Sequence, residues 1–191
     1  EVYLVLRAGM VLPPEEHTQL VRDYVAAADA LPRPQRDNAR IVLTGAFCEQ
    51  PPLPLIKSIE MSGCYIVDDD FMLVTRWLLD DVPAHGQPLE ELSQAFLHRS
   101  ASTAAKYDVR REDKGQFLLR QVKTRGAEGV IFAAPSFCDP ALLERPMLQD
   151  VLAKHNVPYT AFKYAENTGQ MAPIREQAGT FADSIKLWSA A

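Results

Sequence analysis

With 191 residues, 47% of them hydrophobic and 24% charged, the chain has the make-up of a globular protein with one sizeable core and room for an appendage. Its 20 basic and 25 acidic residues leave a net charge of −5 and no basic stripe, which argues against nucleic acid or an anionic membrane as partner. The 3 cysteines, an odd number with no Cys-x-x-Cys spacing and no export signal in sight, argue against a disulfide framework and for a reducing compartment, by default the cytoplasm.

Glu1 stands where a start methionine is usual, and Val2, Leu4, Val5 and Leu6 already read as an apolar helix. That is the pattern expected of a piece cut from a longer polypeptide. A short helix over 1–12 ends before Pro13-Pro14, and a second over 15–31 carries Leu20, Tyr24, Val25, Ala28 and Leu31 as one stripe. A Pro- and Arg-rich connector, Pro32 to Asn38, leads to a first strand, Ala39 to Thr44, closed by Gly45. Leu53 to Met61 reads as a helix stopped at Ser62-Gly63. Cys64 to Val67 is a second strand, and Asp68-Asp69-Asp70 reads as a solvated turn capping a helix from Phe71 to Leu79. A helix over Leu89 to Ser100 places Leu89, Leu92 and Phe96 on one face. Gly115 to Thr124 is the next helix, stopped at Gly126, and Gly129 to Ala134 is a third strand. Ala141 to His155 is helical with a bend at Pro146, Pro158 to Phe162 is a fourth strand, and Met171 to Trp188 is the last helix.

Strands alternate with helices and hairpin turns are scarce, which predicts a doubly wound α/β fold. Its mainly parallel four-stranded sheet carries helices on both faces, with residues 1–38 as a helical lead-in and connector and 39–191 as the α/β domain. In such a sheet ligands bind beyond the carboxyl ends of the strands. Those ends collect Cys48-Glu49-Gln50, Asp68-Asp69-Asp70, Ser136-Phe137-Cys138-Asp139 and Tyr164-Ala165-Glu166-Asn167. Cys138, on the loop after the continuous apolar run Gly129 to Ala134, is a candidate nucleophile or metal ligand rather than core filler. Cys48 shares that topology, and its neighbours Phe47, Pro51 and Pro52 suit packing equally well. Cys64 opens a strand and falls at the opposite edge, as core. The triple aspartate lacks the alternate spacing of a calcium loop, and the 4 histidines show no ligand spacing. No dinucleotide fingerprint, phosphate loop or nucleophile elbow is present, and the acidic rim repels phosphate.

Four segments carry a more specific likeness: Gly45-Ala46-Phe47-Cys48-Glu49-Gln50-Pro51-Pro52, Cys64-Tyr65-Ile66-Val67-Asp68-Asp69-Asp70, Phe137-Cys138-Asp139-Pro140 and Phe162-Lys163-Tyr164-Ala165-Glu166-Asn167. Together they resemble the catalytic subunits of ATP-dependent benzoyl-CoA reductases, within the wider 2-hydroxyacyl-CoA dehydratase family. The likeness runs from about Arg40 to Trp188 and covers the C-terminal part of such a subunit. It implies a [4Fe–4S] cluster held by three cysteines, two from an N-terminal half and the third at the position of Cys138. Cys48 and Cys64 are not carried over as ligands.

The resemblance also implies a paired homologous catalytic subunit, a separate ATP-hydrolysing iron–sulfur activator and an acyl-CoA substrate. Single electrons would reduce the thioester-activated ring of benzoyl-CoA through a radical anion, and protonation would give a cyclic dienoyl-CoA. A dry site for that radical suggests an apolar lining from Phe47, Phe137 and Met72, with Cys48 nearby. Glu166 and Glu49 are the candidate proton donors. The alternatives are a 2-hydroxyacyl-CoA dehydratase subunit and a non-catalytic scaffold domain of such a complex. A small-molecule-binding domain of flavodoxin type, without iron, is the third. The fragment alone is expected to be inactive.

Overall fold

The computed structural model describes residues 1–45, 51–71, 81–98, 113–165 and 171–189. These fall into two compact units, Glu1–Asp37 and Asn38–Ala191. The first is a helical hairpin of α1 (Val2–Ala8) and α2 (Pro14–Ala30). Pro14 opens α2 with its φ already helical, and Glu15 and Glu16 in the first turn complement the helix dipole. The hairpin closes where His17 Nε2 meets the Val5 carbonyl at 3.0 Å. It closes over Gly9, where a Cβ would lie 2.6 Å from the His17 ring. The stripe read from Leu20 to Leu31 is amphipathic but not core, for no residue of α2 is buried.

In the second unit the elements run β1 (Ala39–Thr44), α3 (Leu53–Met61), β2 (Cys64–Asp69), α4 (Pro88–His98) and α5 (Lys114–Arg125). They continue with β3 (Gly129–Pro135), α6 (Asp139–Lys154), β4 (Tyr159–Tyr164) and α7 (Met171–Ser189). The strands form one sheet of order β2-β1-β3-β4, every pair parallel. Because β1 is flanked by β2 on one side and β3 on the other, the order reverses between β1 and β3. That reversal opens a crevice beyond their carboxyl ends.

Both faces of the sheet are covered. Val42, Val130 and Phe132 point toward α5 and α6, where they pack with Leu118, Leu119, Val122, Leu148 and Leu152. Side chains of opposite parity, with Ile41 and Leu43 buried, face α3 and α7, which pack on each other. Each fully buried aliphatic side chain of this kind stabilises the fold by roughly 1.5–3 kcal/mol. Asp113 caps α5, its Oδ1 accepting from the Gln116 N–H at 2.7 Å. Gly126, left-handed at φ 57°, stops the same helix. Helix α6 runs through Pro146, whose ring lies on its exposed side.

One sequence expectation changes. Strand β2 does not end at Val67 but continues through Asp69, and Asp70 behind it is buried, so the run of aspartates is not a solvated turn. Val67 is a bulge: Ile41 pairs with Ile66 and Val42 with Asp68. The face of α4 formed by Leu89, Leu92 and Phe96 is exposed, and Ala95 is its buried side. The helix expected over Phe71 to Leu79 lies, beyond Phe71, outside the described residues.

Candidate functional site at the carboxyl edge of the sheet

Each strand exit is pinned by a contact that local sequence rules do not supply. At the end of β1 the ladder to β2 stops at Leu43, and the next donors are the Thr44 hydroxyl and the Gly45 N–H. Asp70, only 7% exposed, accepts from both: Thr44 Oγ1 donates at 2.9 Å and Gly45 N at 3.1 Å. The Asp70 N–H in turn donates to the Leu43 carbonyl at 3.3 Å. Gly45 then turns at φ +111°, where a Cβ would lie 2.8 Å from the Ala133 carbonyl oxygen of β3. Only glycine fits that conformation and that approach.

At the end of β3, Ser136 donates from both its N–H (2.8 Å) and its Oγ (3.0 Å) to the Tyr164 carbonyl of β4. A turn follows, with the Cys138 N–H on the Pro135 carbonyl at 3.0 Å. Cys138 is the N-cap of α6 rather than a free loop residue, with Pro140 in the first turn behind it. The cysteine residue is 4% exposed and packs with Ala134, Ala141 and Leu142. The adjacent Phe137 goes the other way and is 95% exposed. Cys64 lies at the amino end of β2, fully buried, its Sγ 3.9 Å from the Ala178 carbonyl of α7. Burial pushes that thiol up to about 11. The two described thiols thus sit at opposite ends of the sheet.

The three aspartates have separate fates. Asp68 turns toward α5 and pairs with Arg125 Nε at 3.1 Å. Asp69 is half-buried, and its Oδ1 accepts from the Phe71 N–H at 2.9 Å. Burial, with the nearby charges of Asp70 and Asp68, raises its pKa to about 7 against the opposing pull of the Phe71 N–H. It therefore holds its proton far longer than an ordinary carboxyl does. Among the described residues no group of three or more His, Cys, Asp or Glu side chains is placed to hold a metal ion.

Phe47, Cys48, Glu49, Met72 and Glu166 lie outside the described residues. Of the residues read from the resemblance as cluster ligand, apolar lining or proton donor, Cys138 and Phe137 are therefore the described ones, and both lie just past the end of β3. Sequence reasoning missed the tie between Asp70 and Thr44. The available clue was a run of acids directly continuing an apolar strand, where a buried partner is the main reason for a carboxylate to stay.

The fold is a parallel α/β sheet with Cys138 at the N-cap position of a helix beside the topological switch point. Residues 1–185 match the family described as 2-hydroxyglutaryl-CoA dehydratase, D-component, and the chain is a member of that family. It is 67% identical over 189 residues to one of the subunits of benzoyl-CoA reductase from Thauera aromatica, covering 99% of this chain and 49% of the relative. It is 26% identical over 181 residues to the (R)-phenyllactyl-CoA dehydratase beta subunit of Clostridium sporogenes, covering 95% of this chain and 47% of that one. It is 24% identical over 184 residues to the (R)-2-hydroxyglutaryl-CoA dehydratase subunit beta of Acidaminococcus fermentans, covering 95% and 48%. The chain thus spans about half the length of the curated relatives it matches. No helix among the described residues is long and apolar enough to cross a membrane.

Proposed function

We propose that the chain forms part of a catalytic subunit of an ATP-dependent benzoyl-CoA reductase, an oxidoreductase acting as a cytoplasmic hetero-oligomer. The observation that carries this reading is the 67% identity over nearly the whole chain, against 24–26% to the dehydratase subunits. The proposed partners are a homologous catalytic subunit, an ATP-hydrolysing iron–sulfur activator and an acyl-CoA substrate.

The cofactor this implies is a [4Fe–4S] cluster, whose irons are held by cysteine thiolates. Among the described residues one thiol, Cys138, lies at the carboxyl edge, and Cys64 is buried across the sheet. The donor set therefore fits a single ligand, with the others supplied from outside the described residues. When bound, the cluster supplies low-potential single electrons. This chain's own part is to present the Cys138 thiolate from a rigid helix start and to keep water from it with Ala134, Ala141 and Leu142. Phe137, beside it and outward-facing, is proposed as apolar lining with Phe47 and Cys48. Glu166 and Glu49 are the proposed proton donors on neighbouring strand-end segments.

The test is Cys138→Ser in the full-length subunit assembled with its partners and assayed without oxygen. The expected result is loss of benzoyl-CoA dearomatisation together with loss of cluster iron. Full iron content and wild-type turnover in that variant would overturn the ligand assignment and leave a scaffold role. Dehydration of a 2-hydroxyacyl-CoA by the wild-type complex, with no action on benzoyl-CoA, would instead replace the reductase by the dehydratase reading. For the 191-residue chain alone, anaerobic reconstitution is expected to leave iron near zero. About four irons per chain would mean that its own cysteines complete a cubane.

A further inference from the structure

The buried Asp70 has no part in the chemistry proposed above, yet the β1–β2 side of the crevice is organised around it. A carboxylate is an expensive group to bury. This one sits beside Asp68 and Asp69, and its charge adds to the raised pKa of Asp69. What it does with that charge is specific. It takes up the two donors left where the β1 ladder ends, Thr44 Oγ1 at 2.9 Å and Gly45 N at 3.1 Å. The second of these belongs to the residue that turns at φ +111° against the Ala133 carbonyl of β3. The direction in which the chain leaves β1 at the switch point is therefore fixed from both sides, by β3 through a close backbone approach and by β2 through one carboxylate.

We infer that Asp70 is a positioning residue for the acyl-CoA site, holding the Thr44–Gly45 exit of β1 at the angle the site requires. The inference rests on the reading of this edge as an acyl-CoA enzyme's site. It concerns hydrogen bonding rather than charge. An asparagine can keep the tie, its amide oxygen accepting from Gly45 N and its NH2 donating to the Thr44 hydroxyl. An alanine cannot.

The experiment uses the full-length subunit assembled with its partners, with Asp70→Ala, Asp70→Asn and Thr44→Val compared at a temperature where each complex remains folded. In Asp70→Ala, kcat/KM for benzoyl-CoA is expected to fall about tenfold or more, the scale on which a misplaced site loses rate. Asp70→Asn is expected to recover to within about threefold of wild type, and Thr44→Val to lose about threefold. A folded Asp70→Ala complex with wild-type kcat and KM overturns the inference. So does an Asp70→Asn complex as impaired as the alanine variant, because charge and not the tie would then matter. If Asp70→Ala fails to assemble, Thr44→Val decides: unchanged kcat and KM there overturn the inference. Failure of the reductase reading is visible separately, as a wild-type complex that dehydrates a 2-hydroxyacyl-CoA, and the same three variants are then read on that reaction.

Discussion

The two ends of the sheet are built on different terms. At the amino end charged groups share their partners. Glu128 accepts from the Arg40 N–H at 2.8 Å and pairs with Lys186 at 3.0 Å, while its own N–H donates to the Arg40 carbonyl. The Arg40 side chain closes the C-terminus of α5 through the Gly126 and Arg125 carbonyls. Cys64 sits beneath as apolar filler. At the carboxyl end the chain buries a carboxylate, raises the pKa of a second to about 7, and turns a glycine where no other residue fits. Functional edges commonly store strain and perturbed groups that the rest of the fold offsets. The difference shows where this domain keeps its stability and where it gives some up.

Substituting the two strand-end glycines is the hardest test of that contrast. Gly45→Ala meets both an unfavourable φ and the Ala133 carbonyl at 2.8 Å. It is expected to cost about 3 kcal/mol or more in urea unfolding. Gly63→Ala, at the amino end of β2, also has a positive φ but its nearest neighbour is Ala182 Cβ at 3.6 Å. There about 1–2 kcal/mol is expected, the conformational strain alone. Equal losses would remove the distinction between a crowded edge and a relaxed one.

Cys64→Ser comes next, placing a shorter hydroxyl in a buried site where Ser62 is a polar neighbour and the Ala178 carbonyl is too far for a good hydrogen bond. Its unfolding free energy should fall by about 1–3 kcal/mol. Native-state alkylation at pH 8 should leave Cys64 untouched, because its thiolate is scarce and covered.

The third prediction concerns pH. A folded-state pKa of about 7 for Asp69 lies above the unfolded value near 4, so the folded chain binds the extra proton between them. Stability from this group is complete below pH 4 and is lost as pH rises to about 7, the reverse of a salt-bridged carboxylate. Asp69→Asn should therefore flatten the unfolding free energy across that window, by roughly 2 kcal/mol once solvent screening is allowed for. An unchanged slope would show that Asp69 ionises normally. The smallest effect is expected from Lys186→Met, which breaks a partly exposed ion pair and should cost about 0.5 kcal/mol.

Much of the frame is legible in the sequence. Strand β1 and helix α3 fall on the residues expected because Gly45 and Ser62-Gly63 are strong local stops. The all-parallel sheet follows from the alternation of strand and helix. What periodicity does not carry is the identity of the covering partner. The stripes on α2 and α4 are real as patterns yet stay exposed. Aspartate rarely continues a strand, so the last residues of β2 look like a turn. Their partners, Arg125 on one face and Thr44 and Gly45 at the next strand's end, are 57, 26 and 25 positions away. Nor does sequence say which of two neighbours turns inward, and at 137–138 it is the cysteine.

The bulge at Val67 decides which acid meets which partner. Because Asp68 already pairs with Val42 and Asp69 with Leu43, Val67 is the one position of β2 that the neighbouring strand does not count. A relative lacking one residue there would still present each carboxylate to the same neighbour. A one-residue gap at 67 in a comparison of such chains is therefore silent, whereas the same gap two positions later would exchange the buried acid for its neighbour.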